Sequence, residues 1–329
     1  MALSSDPQGS IRPLSAGNVV SAGLRLYSSH FSQYFGVAVV ATLWILLPIV
    51  LLALLVGFFV VVRDYDGLLG LLVPAWIVLL LYCSGKYLAG SAAISRLAYG
   101  ELIHHPESTR DANRYTQSRL WGFVAIGLLL GLLYTAVALG FYFVVAVVAI
   151  ALLIALGGFA ALQGGSFEQA LANDPLVAAS LVLLVLAVIV CAILLFSWLS
   201  ARVAVAELPL AIESEIGASR SIGRSWELTQ KHAWRIVLIL FITFLITLPL
   251  QILAQIISSL LQAALTVTIP PDSALFTGVT LLISYIIGLA SGVFLLPLWQ
   301  AIKAVIYYDL RSRREGLDLQ LRDRPSESI

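Results

Sequence analysis

The chain has 329 residues, of which 60% are hydrophobic and 11% charged, with a net charge of +1. Water-soluble domains carry about 25% charged residues, so the composition excludes an ordinary soluble protein. The near-zero net charge argues against a polyanion binder, and no nucleic-acid partner is expected.

Six long apolar stretches occur in order: 35–62, 68–97, 120–162, 176–208, 236–267 and 274–306. Each exceeds the roughly 20 residues that cross about 30 Å of hydrocarbon as a helix. The predicted fold is all-α: a polytopic bundle of six transmembrane helices in one integral membrane domain over residues 1–329. Of the 19 Lys and Arg residues, only Arg63 falls where it would face outward. The positive-inside rule then places both termini in the cytoplasm, including a tail over 309–329. The expected location is a bacterial-type plasma membrane, or a thylakoid if the source is photosynthetic. The first apolar stretch is too long for a signal-peptide core, so no cleavable signal is expected.

A polar segment precedes each outgoing span. In 12–33, Val20, Leu24, Tyr27, Phe31 and Tyr34 recur at helical spacing, with Arg25 and several serines between them. That pattern predicts a helix lying in the membrane interface. The second segment, Ser108–Arg119, opens on Ser-Thr-Arg-Asp, which resembles a capping box. The third, Ala218–Arg235, carries Trp226 and Trp234 among basic residues, as interfacial anchors do. The third stretch is long enough to be two spans divided near Gly140. That division would put the basic 220–235 segment outside, so one long helix is preferred.

The returning spans end alike. Arg96 is followed by Glu101-Leu102, Arg202 by Glu207-Leu208 and Lys303 by Asp309-Leu310, about 105 residues apart. An interface helix, a span out and a span back thus occur three times, which suggests a threefold parallel repeat of helix hairpins. Convergence is the competing explanation, because every inner helix end needs polar anchors. The three acids are expected to pair with the nearby Arg96, Arg202 and Lys303.

Ionisable residues are scarce inside the spans. Lys86 is expected to snorkel to the interface, with a buried functional charge as the sharper reading. On the fifth span Gln251, Gln255, Ser258, Ser259 and Gln262 share one helical face. They serve either a helix interface or the lining of a polar cavity. Arg110, Arg114, Arg119, Arg224, Lys231 and Arg235 are the expected contacts for anionic lipid. Cys83 and Cys191 sit in apolar spans and do not form a disulfide framework. His104-His105-Pro106-Glu107 lacks metal-ligand spacing, and no metal or other cofactor is expected. No phosphate-binding glycine loop or nucleophile elbow is found, so no catalytic residue is assigned.

Three segments resemble a known family. They are Arg12-Pro-Leu-Ser-Ala-Gly with Leu24-Arg-Leu-Tyr-Ser-Ser-His-Phe31, then Ser221-Ile-Gly-Arg-Ser-Trp-Glu-Leu-Thr229 with His232-Ala-Trp234, and Tyr307-Tyr-Asp-Leu-Arg-Ser-Arg-Arg-Glu-Gly-Leu-Asp-Leu319. Together they resemble the glycerophosphoryl diester phosphodiesterase membrane domain family. The resemblance implies a six-helix membrane module. The family's phosphodiesterase activity belongs to a separate soluble domain that is not expected here. The sequence therefore favours a non-enzymatic scaffold, assembly or regulatory module for a membrane partner or lipid-associated process. A transporter or channel for a small or lipid-like solute is the alternative.

Overall fold

The computed structural model of the protein describes residues 15–61, 66–162 and 175–315. Arg12, Arg63, residues 163–174 and those beyond Glu315 lie outside the described residues. The described chain is all-α. It forms α1 (Ala16–Ser29), α2 (Phe31–Val61), α3 (Asp66–Leu102), α4 (Thr109–Ser118), α5 (Leu120–Leu162) and α6 (Pro175–Val203). These are followed by α7 (Glu207–Ile212), α8 (Ala218–Thr229), α9 (Ala233–Leu265) and α10 (Ala274–Glu315). Six of these helical stretches are long and apolar enough to cross a membrane, and the protein is a multi-pass integral membrane protein. The element order repeats: a short helix precedes each of the pairs α2–α3, α5–α6 and α9–α10.

Local chemistry accounts for the helix starts. Ser15 caps α1 by accepting from the Asn18 N–H at 3.2 Å. Ser108 caps α4 by accepting from the Asp111 N–H at 3.1 Å, and its hydroxyl donates to the Asp111 carboxylate at 2.6 Å. Ser108 thus makes the N-cap half of a capping box, while the Asp111 carboxylate bonds the Ser108 hydroxyl rather than its backbone N–H. The third apolar stretch is one continuous helix, α5. The fourth is helical only to Val203. The chain then turns and resumes as α7, because Pro209 has no N–H to offer the Val205 carbonyl. The helices of the second and sixth apolar stretches, α3 and α10, run on to Leu102 and Glu315, beyond those stretches.

Among the described residues, those up to Ile126 together with those from Arg202 onward form one compact unit, and those between Gly127 and Ala201 form a second. In the second unit Tyr134 and Ser200 share a hydrogen bond at 3.0 Å, and the Phe141 and Phe196 rings meet edge to face. Phe143, Val144, Val185 and Ile193 of that unit are exposed, as lipid-facing positions require.

The core of the first unit lies toward the ends of α3 and α10 that carry the charged residues. Ala89, Ala92, Ala93, Ile94 and Ala98 of α3 are fully buried, as are Ile302, Val305, Ile306 and Leu310 of α10. Small residues along α3 let backbones approach closely, which is how helices associate without a strong hydrophobic drive. A buried polar pair joins the two helices: the Ser95 hydroxyl donates to the Gln300 side-chain oxygen at 2.7 Å. On α1, Gly23 faces Ile302 so closely that an added Cβ would sit 2.4 Å from Ile302 Cγ1 and 3.1 Å from its Cα. Gly23→Leu is expected to lever α1 off α10 and to cost roughly 1–3 kcal/mol. A thermal-unfolding midpoint equal to wild type in the same detergent would sink this expectation.

Candidate functional site at the charged end of the bundle

Two of the three recognised sequence motifs meet in the first unit. On α8, Ser221, Ser225 and Thr229 recur every four residues and are fully buried. Ser221 donates to the Ala206 carbonyl at 2.6 Å and accepts from the Leu210 N–H at 3.1 Å. Ser225 and Thr229 both donate to the Arg202 carbonyl. This hydroxyl stripe therefore satisfies the backbone freed where α6 ends and α7 begins. The Arg202 guanidinium lies 4.2 Å from the centre of the Trp226 ring.

The end of α10 closes onto the same region. Asp309, only 5% exposed, receives Arg235 at 2.6 Å and Arg313 at 2.9 Å. Arg224 pairs with Glu315 and lies 3.7 Å from Glu213. The Tyr307 hydroxyl donates to Glu213 at 2.6 Å, and Arg311 bonds both Glu315 and the Tyr99 hydroxyl. Arg314 donates to the Gln230 carbonyl at 2.7 Å. Lys231, which follows Gln230, adopts a left-handed φ of 71° in the turn between α8 and α9. Burial, and then Arg313, push the His232 imidazole below its ordinary value of 6.5. A hydrogen bond to the Lys231 backbone opposes them, and Arg235 and Arg314 add to the lowering.

The expected pairing of the three span-end acids with their sequence neighbours does not occur. Glu107, not Glu101, holds Arg96 through two bonds of 2.7 Å. Lys303 reaches Glu207 at 2.7 Å, while Glu101 faces His30 at 3.5 Å. For Arg96 and Glu101 on α3, and for Lys303 and Asp309 on α10, the reason is helical geometry; the turn after Val203 separates Arg202 from Glu207. Residues five or six apart point more than 100° away from each other, whereas only i+3 and i+4 neighbours share a face. Each acid therefore finds its partner on another element, except for the i+4 pair Asp309–Arg313.

The residues expected to contact lipid divide into two groups. Arg119 donates to the carbonyls of Leu210 and Glu213 at 2.7 Å, of Ser214 at 3.0 Å and of Ile216 at 2.7 Å. It clamps the end of α7 and the turn after it. Arg224 and Arg235 are committed to the carboxylates named above. Arg110, Arg114 and Lys231 are exposed. No sequence signal separated the two groups, because the carbonyls and acids that claim Arg119, Arg224 and Arg235 lie far along the chain.

The polar stripe on α9 is also divided. Gln262 donates to Ser258 at 2.9 Å and to Ser284 of α10 at 3.0 Å, and Ser258 is buried. Gln251 donates to Thr247 one turn earlier, at 3.2 Å. Gln255 and Ser259 are exposed, and the Ser259 hydroxyl bonds its own helix at Ile256. Only Ser258 and Gln262 of the stripe are brought to another helix.

A cavity of about 540 Å³, which the sequence reading missed, opens among α2, α3 and α4. Lys86 lines it, together with amide and hydroxyl side chains from α2 and α4. Its ammonium rests 5.5 Å from the centre of the Trp44 ring and 5.6 Å from that of Tyr82.

Residues 172–326 match the family model described as the membrane domain of glycerophosphoryl diester phosphodiesterase. The matched segment contains the α8 and α10 motifs, and the Arg12–Phe31 motif lies outside it. No curated protein and no solved structure matches the chain.

Proposed function

We propose that this chain, similar in its C-terminal part to that membrane domain, is a non-enzymatic module that scaffolds or regulates a membrane partner or a lipid-associated process. The observation that carries this reading is the mutual pairing of acids and bases at the charged end. A general acid or base must reach a substrate. Glu107, Glu207, Asp309 and Glu315 are instead each held against arginine or lysine, and they tie α7, α8 and α9 to α10 and α3 to the turn before α4. Such a network suits a fixed platform. Exposed apolar faces, such as Leu128, Leu132, Phe241 and Phe244, are available to lipid or to a partner's helices.

The basic residues at this end support an orientation with both termini on the cytoplasmic side of a bacterial plasma membrane. Anionic lipid would gather at Arg110, Arg114 and Lys231, at about 1 kcal/mol for each basic residue near the surface. The guanidiniums of Arg119, Arg224 and Arg235 contribute less, because protein acceptors already hold them. The alternative reading, passage of a small or lipid-like solute, draws on the α9 stripe. The hydrogen bonds of Ser258 and Gln262 to Ser284 favour helix packing there instead.

The test is to purify the protein from its native membrane in mild detergent. One membrane protein is expected to accompany it in fixed stoichiometry through size-exclusion chromatography. Recovery as a lone chain carrying only lipid would overturn the scaffold reading.

A further inference from the structure

The strongest unassigned feature of the molecule is the cavity among α2, α3 and α4. Its chemistry is graded. Gln33, Thr109, Asn113 and Gln117 line it with neutral amide and hydroxyl groups, and Lys86 and Trp44 contribute the cation and an aromatic wall. Thr109, Asn113 and Gln117 are four residues apart, so α4 presents one continuous polar face to the cavity. The neighbouring side of α4 buries Ala112 and Thr116. The α4 face is fixed at both ends: Gln33 donates to the Thr109 hydroxyl at 2.9 Å, and Gln117 reaches the Lys86 carbonyl at 3.5 Å.

Lys86 is the only charged residue lining this cavity. Among the described residues no carboxylate lies within ion-pair distance of its ammonium, whose partners are the Trp44 and Tyr82 rings. It does not join the network at the charged end, where lysine and arginine pair with acids. Aromatic faces hold a cation in place without neutralising its charge. A cation inside a membrane span calls for a counter-charge, and none is built in. The remaining wall is apolar. Val37 and Ala41 are buried behind it, while Val40 is 58% exposed and faces the surroundings of the bundle. Gly90 brings α3 against α2 at Ala41, where an added Cβ would lie 2.8 Å from the Ala41 Cβ. Arg110 and Arg114 sit one residue round α4 from Thr109 and Asn113, and both are exposed.

We propose that this cavity binds the phosphate of one anionic phospholipid. Lys86 supplies the counter-charge, the amides of Asn113 and Gln33 donate to the headgroup, and the acyl chains leave along the apolar wall past Val40. Arg110 and Arg114 attract the lipid to the mouth without holding it. A free phosphate ion would meet the same cation and amides. The apolar wall and the exposed Val40 favour a lipid, because an inorganic ion leaves that surface unused. The site rests on the reading that this end of the bundle meets an anionic leaflet.

The experiment is native mass spectrometry of the full chain in detergent, titrated with phosphatidylglycerol, with phosphatidylcholine, and separately with inorganic phosphate. Wild type is expected to retain one phosphatidylglycerol, to prefer it over phosphatidylcholine, and to show no retained phosphate ion. Lys86→Met should weaken that single-lipid binding at least tenfold. Asn113→Leu, which obstructs the cavity from outside the span, should do the same, with size-exclusion profile and melting temperature confirming that both variants are folded. The double change Arg110→Gln/Arg114→Gln should reduce only the additional, salt-sensitive lipid. Equal retention by wild type, Lys86→Met and Asn113→Leu would overturn the site while leaving surface attraction intact. Retention of inorganic phosphate as tightly as lipid would overturn the lipid assignment. Loss of all anionic preference in wild type would overturn both the site and the reading on which it rests.

Discussion

Replacing Asp309 with alanine should destabilise the protein by about 3–5 kcal/mol, the usual cost of leaving a buried ion pair half made. The Asp309 side chain is 6% exposed and accepts from both Arg235 and Arg313. Its removal takes the shared carboxylate away from two guanidiniums at the end of α10. Only part of that cost is the strength of the pair itself, because well-packed apolar replacements of buried ion pairs are often neutral. A double-mutant cycle separates the contributions. Arg235→Gln alone should cost less than Asp309→Ala, because Arg235 is partly exposed and Arg313 still serves the carboxylate. The double variant should lose less than the sum of the two. Additive losses in denaturant or thermal unfolding would show that the two side chains do not act as a pair.

Arg119→Lys is the second change with a large expected effect, about 3 kcal/mol, although it preserves charge. Four carbonyls of the 210–216 segment converge on one guanidinium. Hydrogen bonds from a charged donor contribute about 1.5–3 kcal/mol each, and an unmade one leaves a carbonyl unsatisfied. An ammonium has three donors on a flexible stem and cannot reproduce the planar fork. The loss should concentrate at α7, so protease cleavage within residues 207–217 is the local readout beside the melting temperature. An unchanged cleavage pattern together with a melting temperature within 1 °C of wild type would refute the clamp.

Both predictions concern residues whose roles could not be read along the chain. Arg119 and Arg235 look like lipid-facing charges in the sequence, because both lie in basic, interfacial segments. Asp309 looks like a helix-end acid paired with Lys303. One of these errors was avoidable: offsets of five and six residues already exclude pairing on a single helix. The α8 motif offered a second legible signal. Ser221, Ser225 and Thr229 follow a four-residue rhythm, which on a helix means one polar stripe needing acceptors. The sequence does not say which acceptors, and the structure supplies the carbonyls at the α6–α7 break. Lys86 stands out in the sequence for its position in a span. Its surroundings were not legible, because Trp44 precedes it by 42 residues and Asn113 follows it by 27.

What the sequence determined by itself was governed by local or one-dimensional physics. Six helical stretches follow from the length of apolar runs against the thickness of hydrocarbon. The start of α4 follows from Ser108 and Asp111, three residues apart. The concentration of charge at one set of helix ends is a property of order along the chain. The tertiary structure decided which of those charges remain free. The Arg311–Tyr99 bond joins residues 212 apart, and Lys303–Glu207 joins residues 96 apart. A side chain in such a position has several chemically equivalent partners in the sequence, and only the packing of α3 against α10 brings one of them within reach. The packing of α2 and α4 on α3 leaves Lys86 facing a cavity whose lining holds no acid, a distinction no pattern along the chain could draw.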